Sequence, residues 1–279
     1  MFKYVLYLLK KQLFKIVPIK SWRKKLKKTL PAEYKVKRYS KKELAYFHEI
    51  LEKYPAVMSA EETLKIVVEK KLSFSRIGDG EFNLIIDEGN IFNQNDDTLK
   101  QRLKQICEEM HSKDCLVCLN NYRCQSEWKK SANDWNKWFL YHGLFTLPRV
   151  LSTVKFKKQN FGDAYFLCKT LNQKSITTIK SIWQNRKILF VCNEASLYQD
   201  DVYDLFNNVK EKKFLFVPAK DAFNNYNEIL KEIKTYTSEW IIYLECGATA
   251  SVLSWDLAQM GYRALDMGDY YKRLLNHEK

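Results

Sequence analysis

The segment Ser75-Arg76-Ile77-Gly78-Asp79-Gly80-Glu81-Phe82 concentrates residue types that do chemistry. Asp79 and Glu81 stand one residue apart, so on an extended chain their carboxylates project to the same side. Gly78 and Gly80 let the backbone turn tightly around whatever those carboxylates hold. Such oxygens suit a hard divalent cation: Mg²⁺ or Mn²⁺ is held by one or two carboxylates together with substrate phosphates, and neutralises a departing diphosphate. Arg76 adds a guanidinium able to grip a phosphate with two hydrogen bonds. Gly-Asp-Gly also describes an ordinary surface turn, so the reading depends on its surroundings.

Other junctions supply that context. Glu245-Cys246-Gly247-Ala248-Thr249-Ala250 puts small residues at the start of a helix, where backbone N–H groups around Gly247 and Thr249 can approach an anion. The same segment is equally consistent with close helix–strand packing, Thr249 serving as a cap. Pro218-Ala219-Lys220-Asp221-Ala222-Phe223 offers Lys220 and an aromatic ring. The final run from Ala264 to Tyr271 brings two carboxylates: Asp266 as a cap or supporting group, and Asp269 as a base or ligand.

These junctions need a frame to converge. Ser59 and Glu62 have capping-box spacing and open a helix through Leu64, Val67 and Val68. A strand is expected at 74–77, a helix around 99–110, a strand at 115–119 and a Trp-rich helix through Trp128, Trp135 and Trp138. The stretch 144–174 carries no clear period. From Lys187 onward, apolar runs at 188–192, 214–217 and 241–244 alternate with helical segments near 202–207, 222–233 and 250–260. Short apolar strands between helices predict an α/β fold, a Rossmann-like and mostly parallel sheet flanked by helices. Ligands of such sheets bind beyond the carboxyl ends of the strands, where every segment singled out above falls.

The chain has 279 residues, 46% of them hydrophobic, which is ample for a sizeable core in a body spanning 43–279. Its formal net charge of +14 is not spread evenly. Residues 1–42 hold fifteen Lys/Arg against the single acid Glu33, leaving 32 basic and 32 acidic groups in the body. Within the basic tail Phe2, Val5, Leu6, Leu9, Leu13, Phe14, Ile16 and Val17 recur at near-helical spacing. That pattern predicts a basic amphipathic N-terminal helix lying on an anionic membrane surface through residues 1–28, rather than a nucleic-acid-binding arm, which needs no apolar face. A helix merely packed on the body, or a disordered tail, is the plainer alternative. The uncharged run 4–9 is far shorter than the about 20 apolar residues that span a bilayer. With no cleavage site after it, the chain is expected to be neither secreted nor transmembrane, but cytoplasmic and peripheral on the inner face of the cell membrane.

Seven cysteines without an export signal point to reduced thiols. Cys115 and Cys118 have zinc-knuckle spacing, with His111 and Cys124 near, yet 115–119 also reads as a buried strand and no second Cys-x-x-Cys pair completes a four-ligand site.

Taken in order, Arg-Ile-Gly-Asp-Gly-Glu (76–81), a strand followed by Asn193-Glu194, Asp-Leu-Phe (204–206), Pro-Ala-Lys-Asp-Ala-Phe (218–223), Gly-Ala-Thr-Ala-Ser-Val-Leu-Ser-Trp-Asp-Leu (247–257) and Gly-Tyr-Arg-Ala-Leu-Asp-Met-Gly (261–268) closely resemble the GT-D type glycosyltransferase domain over residues 56–271. The resemblance implies a nucleoside-diphosphate sugar donor, a UDP-sugar foremost, with Mn²⁺ or Mg²⁺ on Asp79 and Glu81 and a glycan acceptor in bacterial surface polysaccharide or glycoprotein synthesis. It implies donor contacts from Arg76, Gly78, Glu194, Lys220, Gly247 and Thr249, and a catalytic group drawn from Asp269, Glu81 and Asp266. The chain departs from the family pattern at Leu167-Cys168-Lys169-Thr170, at Leu197 and at Asp269, where arginines and a histidine are usual. These departures leave a catalytically silent, membrane-bound assembly partner as the alternative.

Overall fold

The computed structural model describes residues 41–90, 93–94, 96–109, 112–123, 142–170, 172–194 and 205–270. The expected amphipathic tail and the Trp-rich helix lie outside them. Two helices lead in, α1 (Lys41–Lys53) and α2 (Ala60–Glu69). The Ser59–Glu62 capping box forms as expected: Glu62 N–H donates to Ser59 Oγ at 3.2 Å and Ser59 N–H to Glu62 Oε2 at 2.9 Å. Then come β1 (Ser73–Ile77), α3 (Asp79–Ile85), α4 (Asp97–Glu108) and β2 (Cys115–Leu119). A π-helical turn, His142–Thr146, leads into α5 (Leu147–Thr153), followed by β3 (Gly162–Asp163), α6 (Phe166–Lys169) and α7 (Gln173–Lys180). The last part comprises β4 (Lys187–Cys192), β5 (Glu211–Phe216), a 3₁₀ turn (Ala222–Asn225), α8 (Tyr226–Ile233), β6 (Trp240–Glu245), α9 (Ala248–Gln259) and β7 (Arg263–Asp266).

The seven strands form one sheet in the order β3-β2-β1-β7-β6-β4-β5, and every pairing is parallel. The chain starts in the middle, steps outward to β3, crosses to β4, steps outward again to the edge strand β5, and returns inward through β6 until β7 lies beside β1. Both central strands thus end at the crevice where the direction of winding reverses, the usual ligand position in such a sheet. The apolar residues of β2 alternate between the two faces: Cys115, Val117 and Leu119 join the core under α4 and α9, while Leu116 and Cys118 join the core under α2 and α7. Cys115 and Cys118 therefore point to opposite faces, and the zinc-knuckle spacing is that of a buried strand.

Helix α9 is buried on nearly all sides, from Ala248 and Thr249 through Trp255 to Ala258, because it packs on the sheet and is covered by α4 and α8. At the outer edge, β5 begins at Glu211, three residues before the apolar run that marks it in the sequence. An edge strand pairs on one side only, so its charged residues stay in water. Among the described residues no helix is long and apolar enough to cross a membrane.

The other edge is pinned by close packing. A methyl group on Gly162 would meet Cys118 Sγ at 2.6 Å, with Leu116 and Thr63 carbons at 3.0 Å. Gly162→Ala should therefore destabilise the protein by about 1–3 kcal/mol in urea denaturation; a change within about 0.5 kcal/mol would mean that this edge yields.

Candidate active site

The carboxyl ends of β1, β2, β3 and β7 meet at one rim. Its foundation is a buried pair across the β1–β7 seam, where the strand register includes Phe74 opposite Leu265. Beyond that point Asp266 takes over from the backbone ladder. Its Oδ2 accepts Arg76 N–H at 3.0 Å, its carbonyl oxygen accepts Arg76 Nε–H at 2.7 Å, and its Oδ1 lies 3.4 Å from Arg76 Nη2. Arg76 Nη1 also donates to the Ala164 carbonyl at 3.3 Å. The Ser251 hydroxyl of α9 reaches Asp266 Oδ2 at 3.0 Å and the Arg76 carbonyl at 2.8 Å. Burial works against the Arg76 charge, but Asp266, with Glu81 and Asp269, outweighs it and holds the guanidinium above its ordinary pKa. Burial pushes the Asp266 carboxyl up, opposed by Arg76. Gly268 has φ of +55°, and a side chain there would meet Arg76 Nη2 at 1.9 Å, so only glycine lets the guanidinium lie against this turn.

The Asp79–Glu81 pair departs from the extended geometry expected of it. Both residues sit in the first turn of α3, where positions two apart do not face each other. They are instead held by separate partners. Glu81 folds back so that Oε2 accepts Gly78 N–H at 2.8 Å, the third-position capping arrangement with glycine in front. Asp79 Oδ1 accepts the Tyr165 hydroxyl at 2.8 Å. Tyr165 is set in turn by Asp163, which has no exposed surface, accepts Tyr165 N–H at 2.8 Å and is paired with Lys169 at 2.5 Å. Lys169, one of the departures from the family pattern, thus anchors the turn that orients Asp79.

Asn120, directly after β2, completes the cluster. One end of its buried amide donates to the Tyr122 hydroxyl at 3.2 Å, and the other, Oδ1, has no partner among the described residues. Whichever way the amide is turned, a single hydroxyl satisfies only one end. A methyl group placed on Gly78 would lie 3.2 Å from Glu81 Oε2 and 3.9 Å from Asn120 Oδ1, so Gly78 leaves a small hollow that both oxygens border. Unpaired buried polar atoms are costly, and one that borders a hollow at the ligand edge of the sheet is available to a water, an ion or a substrate group. The hydroxyl of Thr249, fully buried in the first turn of α9, likewise has no partner among the described residues. Gly247 before it has φ of +61°.

The remaining sequence candidates lie at the same carboxyl edge; Asp269 is near enough to Arg76 to act on its charge, whereas no interaction is seen between Lys220 or Glu194 and the cluster among the described residues. Asp269 is exposed on the loop after β7, Lys220 is exposed after β5, and Glu194 is exposed after β4. Asp266 is too thoroughly engaged by Arg76 and Ser251 to abstract a proton, and Arg76 serves the seam. Sequence reasoning passed over Asn120, Tyr165, Asp163 and Lys169. Asn120 alone could have been found, as a polar residue immediately following a wholly apolar strand. Among the described residues no group of three His, Cys, Asp or Glu is arranged to hold a metal.

The model of the GT-D glycosyltransferase fold matches residues 74–273. The chain belongs to this family. It is 30% identical over 217 residues to the glycosyltransferase GlyD of Streptococcus pneumoniae serotype 4, covering 76% of this chain and 26% of that protein. It is 27% identical over 221 residues to the probable glycosyl transferase Gly of Streptococcus gordonii, covering 78% and 32%. The chain therefore spans between a quarter and a third of the length of these curated relatives. A solved structure described as a new glycosyltransferase from Streptococcus sanguinis superimposes with a TM-score of 0.72 at 25% identity, covering 80% of this chain and 85% of that one.

The electrostatics of Glu81 are directly measurable. Burial raises its pKa to about 7, with Asp266 and Asp79 adding repulsion and the Gly78 N–H opposing them. The folded value exceeds the ordinary carboxylate value of 4.5, so stability is greatest with the carboxyl protonated and falls as pH rises from 4.5 to 7. In chelator, wild-type stability should fall relative to Glu81→Gln across this window, by about 1–3 kcal/mol in urea titrations. Parallel stability–pH curves would contradict the assignment.

Proposed function

We propose that this chain transfers a glycosyl group from a nucleoside-diphosphate sugar, a UDP-sugar foremost, to a hydroxyl of a glycan, lipid-linked or protein-linked acceptor. The observation that carries this reading is the family's Asp-x-Glu pair standing at the carboxyl end of β1 beside the unpartnered oxygen of Asn120. All three supply hard oxygen donors, the set that suits Mg²⁺ or Mn²⁺ when the remaining positions come from a diphosphate and water. Asp79 and Glu81 would hold the ion, with Asn120 as the neutral third oxygen. When bound, the cation supplies charge neutralisation for the leaving diphosphate.

The protein's own residues account for the rest. Gly78 keeps the space above the carboxylates open. Tyr165 keeps Asp79 in one orientation, and the Arg76–Asp266 pair fixes the strand ends from which both loops depart. The first turn of α9, with Gly247 exposed and the Thr249 hydroxyl unsatisfied, offers N–H and O–H donors to the diphosphate. Lys220 and Glu194, exposed along the same edge, are the donor contacts of longer reach. Asp269 takes the proton of the acceptor hydroxyl as its oxygen bonds to the anomeric carbon and the bond to the diphosphate breaks. The basic tail, residues 1–28, would hold the enzyme peripherally at an anionic cytoplasmic leaflet, where lipid-linked acceptors reside.

With a panel of UDP-, GDP- and dTDP-sugars, purified protein should turn over one donor in Mn²⁺ and none in chelator. Asp79→Asn and Glu81→Gln should each lower turnover by about 10²-fold or more while remaining folded. Asp269→Asn should lower kcat by about 10²-fold or more and leave donor binding intact. Unchanged metal-dependent transfer in both carboxylate variants would sink the metal assignment. The full chain should also pellet with phosphatidylglycerol vesicles at low salt and be released at high salt; failure to pellet would remove the membrane role.

A further inference from the structure

A cavity of about 470 Å³ opens between the first turn of α4 and the junction of the 3₁₀ turn with α8, and none of its lining residues belongs to the carboxylate cluster. Its walls include Asp96, Arg102, Phe223, Asn224, Tyr226 and Asn227. The Phe223 and Tyr226 rings pack at 5.3 Å between centroids with 42° between their planes. Tyr226 is fixed from behind: its hydroxyl donates to Asp256 of α9, whose other oxygen pairs with Arg102. Asp96 caps α4 through Oδ1, which accepts Leu99 N–H at 2.7 Å. Asn224 and Asn227 are exposed.

This lining is selective. The Arg102 charge is spent on Asp256, and Asp96 brings a negative charge, so the cavity does not suit an anion. Two carboxamides and a carboxylate make it too polar for an aliphatic ligand. Carboxamides donate and accept together, as hydroxyl groups do, and the negative faces of the aromatic rings attract partially positive C–H edges. A sugar ring presents hydroxyls around its rim and C–H groups on its face. The volume lies in the range of small-ligand sites.

The cavity is also tied to the carboxylate turn. Asn90 Nδ2 donates to the carbonyl of Gly80, the residue between Asp79 and Glu81, at 3.4 Å. Asn93 N–H donates to Asn90 Oδ1 at 2.7 Å, and Gln94 N–H to Asp221 Oδ1 at 2.7 Å. Asp221, with φ of +52°, is the residue from which the 3₁₀ turn carrying Phe223 departs. The geometry points to this cavity as the subsite for a neutral saccharide unit of the acceptor glycan, an inference that rests on the glycosyl-transfer reading above. Placing the acceptor against α4 and α8 leaves the carboxylate rim to the donor.

The test is saturation-transfer NMR on the full chain with lactose, maltose and N,N′-diacetylchitobiose as probes, using wild type, Asn227→Ala and Phe223→Ala. Calorimetry with UDP and Mn²⁺ runs alongside. Asn227 is exposed, so its variant keeps the test valid if the half-buried Phe223 proves necessary for folding. At least one disaccharide should bind wild type and bind the Asn227 variant about fivefold more weakly, the loss of one net hydrogen bond, with UDP affinity unchanged. No disaccharide signal with wild type, or equal signals in both folded variants, overturns the inference. Loss of UDP affinity in the same variants also overturns it and makes the cavity a nucleobase pocket. Disaccharide binding without any UDP binding supports the subsite and counts instead against the donor reading.

Discussion

A largely buried ion pair, Arg76 with Asp266, decides where the two central strands end. β1 and β7 start as ordinary parallel neighbours, then part, and the Asp266 carboxylate fills the widening gap by accepting the Arg76 N–H that a strand carbonyl would otherwise take. The guanidinium spans from Asp266 to the turn after β3, and Ser251 locks the arrangement to α9. Removing one partner of such a pair strands a buried charge, at a cost of about 3–5 kcal/mol. The seam therefore fixes the origins of the β1, β3 and β7 loops together, and the position of each polar group at the rim follows from it.

On that base the site separates two neighbouring carboxylates by environment. Asp79 faces a tyrosine hydroxyl whose position is set by the Asp163–Lys169 pair, whereas Glu81 turns inward to its own helix start and is shifted towards neutrality. Two carboxylates one residue apart in sequence thus sit in different hydrogen-bonding surroundings, one held by a side chain across the rim and the other by its own backbone. The unsatisfied oxygens of Asn120 and Thr249 add acceptor and donor capacity without adding charge.

The parallel sheet was legible because its buried strands are short apolar runs, 188–192 and 241–244 above all, bounded by helical segments. The carboxylate turn was legible because two glycines and two acids crowd one junction. What the sequence hid is tertiary. β3 is two residues long and exists only because Gly162 can approach Cys118, so no local pattern announces it, and Asp163, Tyr165 and Lys169 stayed hidden with it. The side-by-side projection expected of Asp79 and Glu81 assumed an extended chain, but Glu81 caps a helix that starts at Asp79. Arg76 read as a phosphate ligand because its partner, Asp266, lies 190 residues away.

The central claim is that this rim binds a nucleoside diphosphate through a divalent cation held by Asp79 and Glu81. Calorimetric titration of UDP into the wild-type protein, with Mn²⁺ and then with chelator, tests it most directly. The account predicts saturable binding in Mn²⁺ that disappears in chelator and in Asp79→Asn. Binding of equal strength with and without the metal, or undiminished by that substitution, would contradict it.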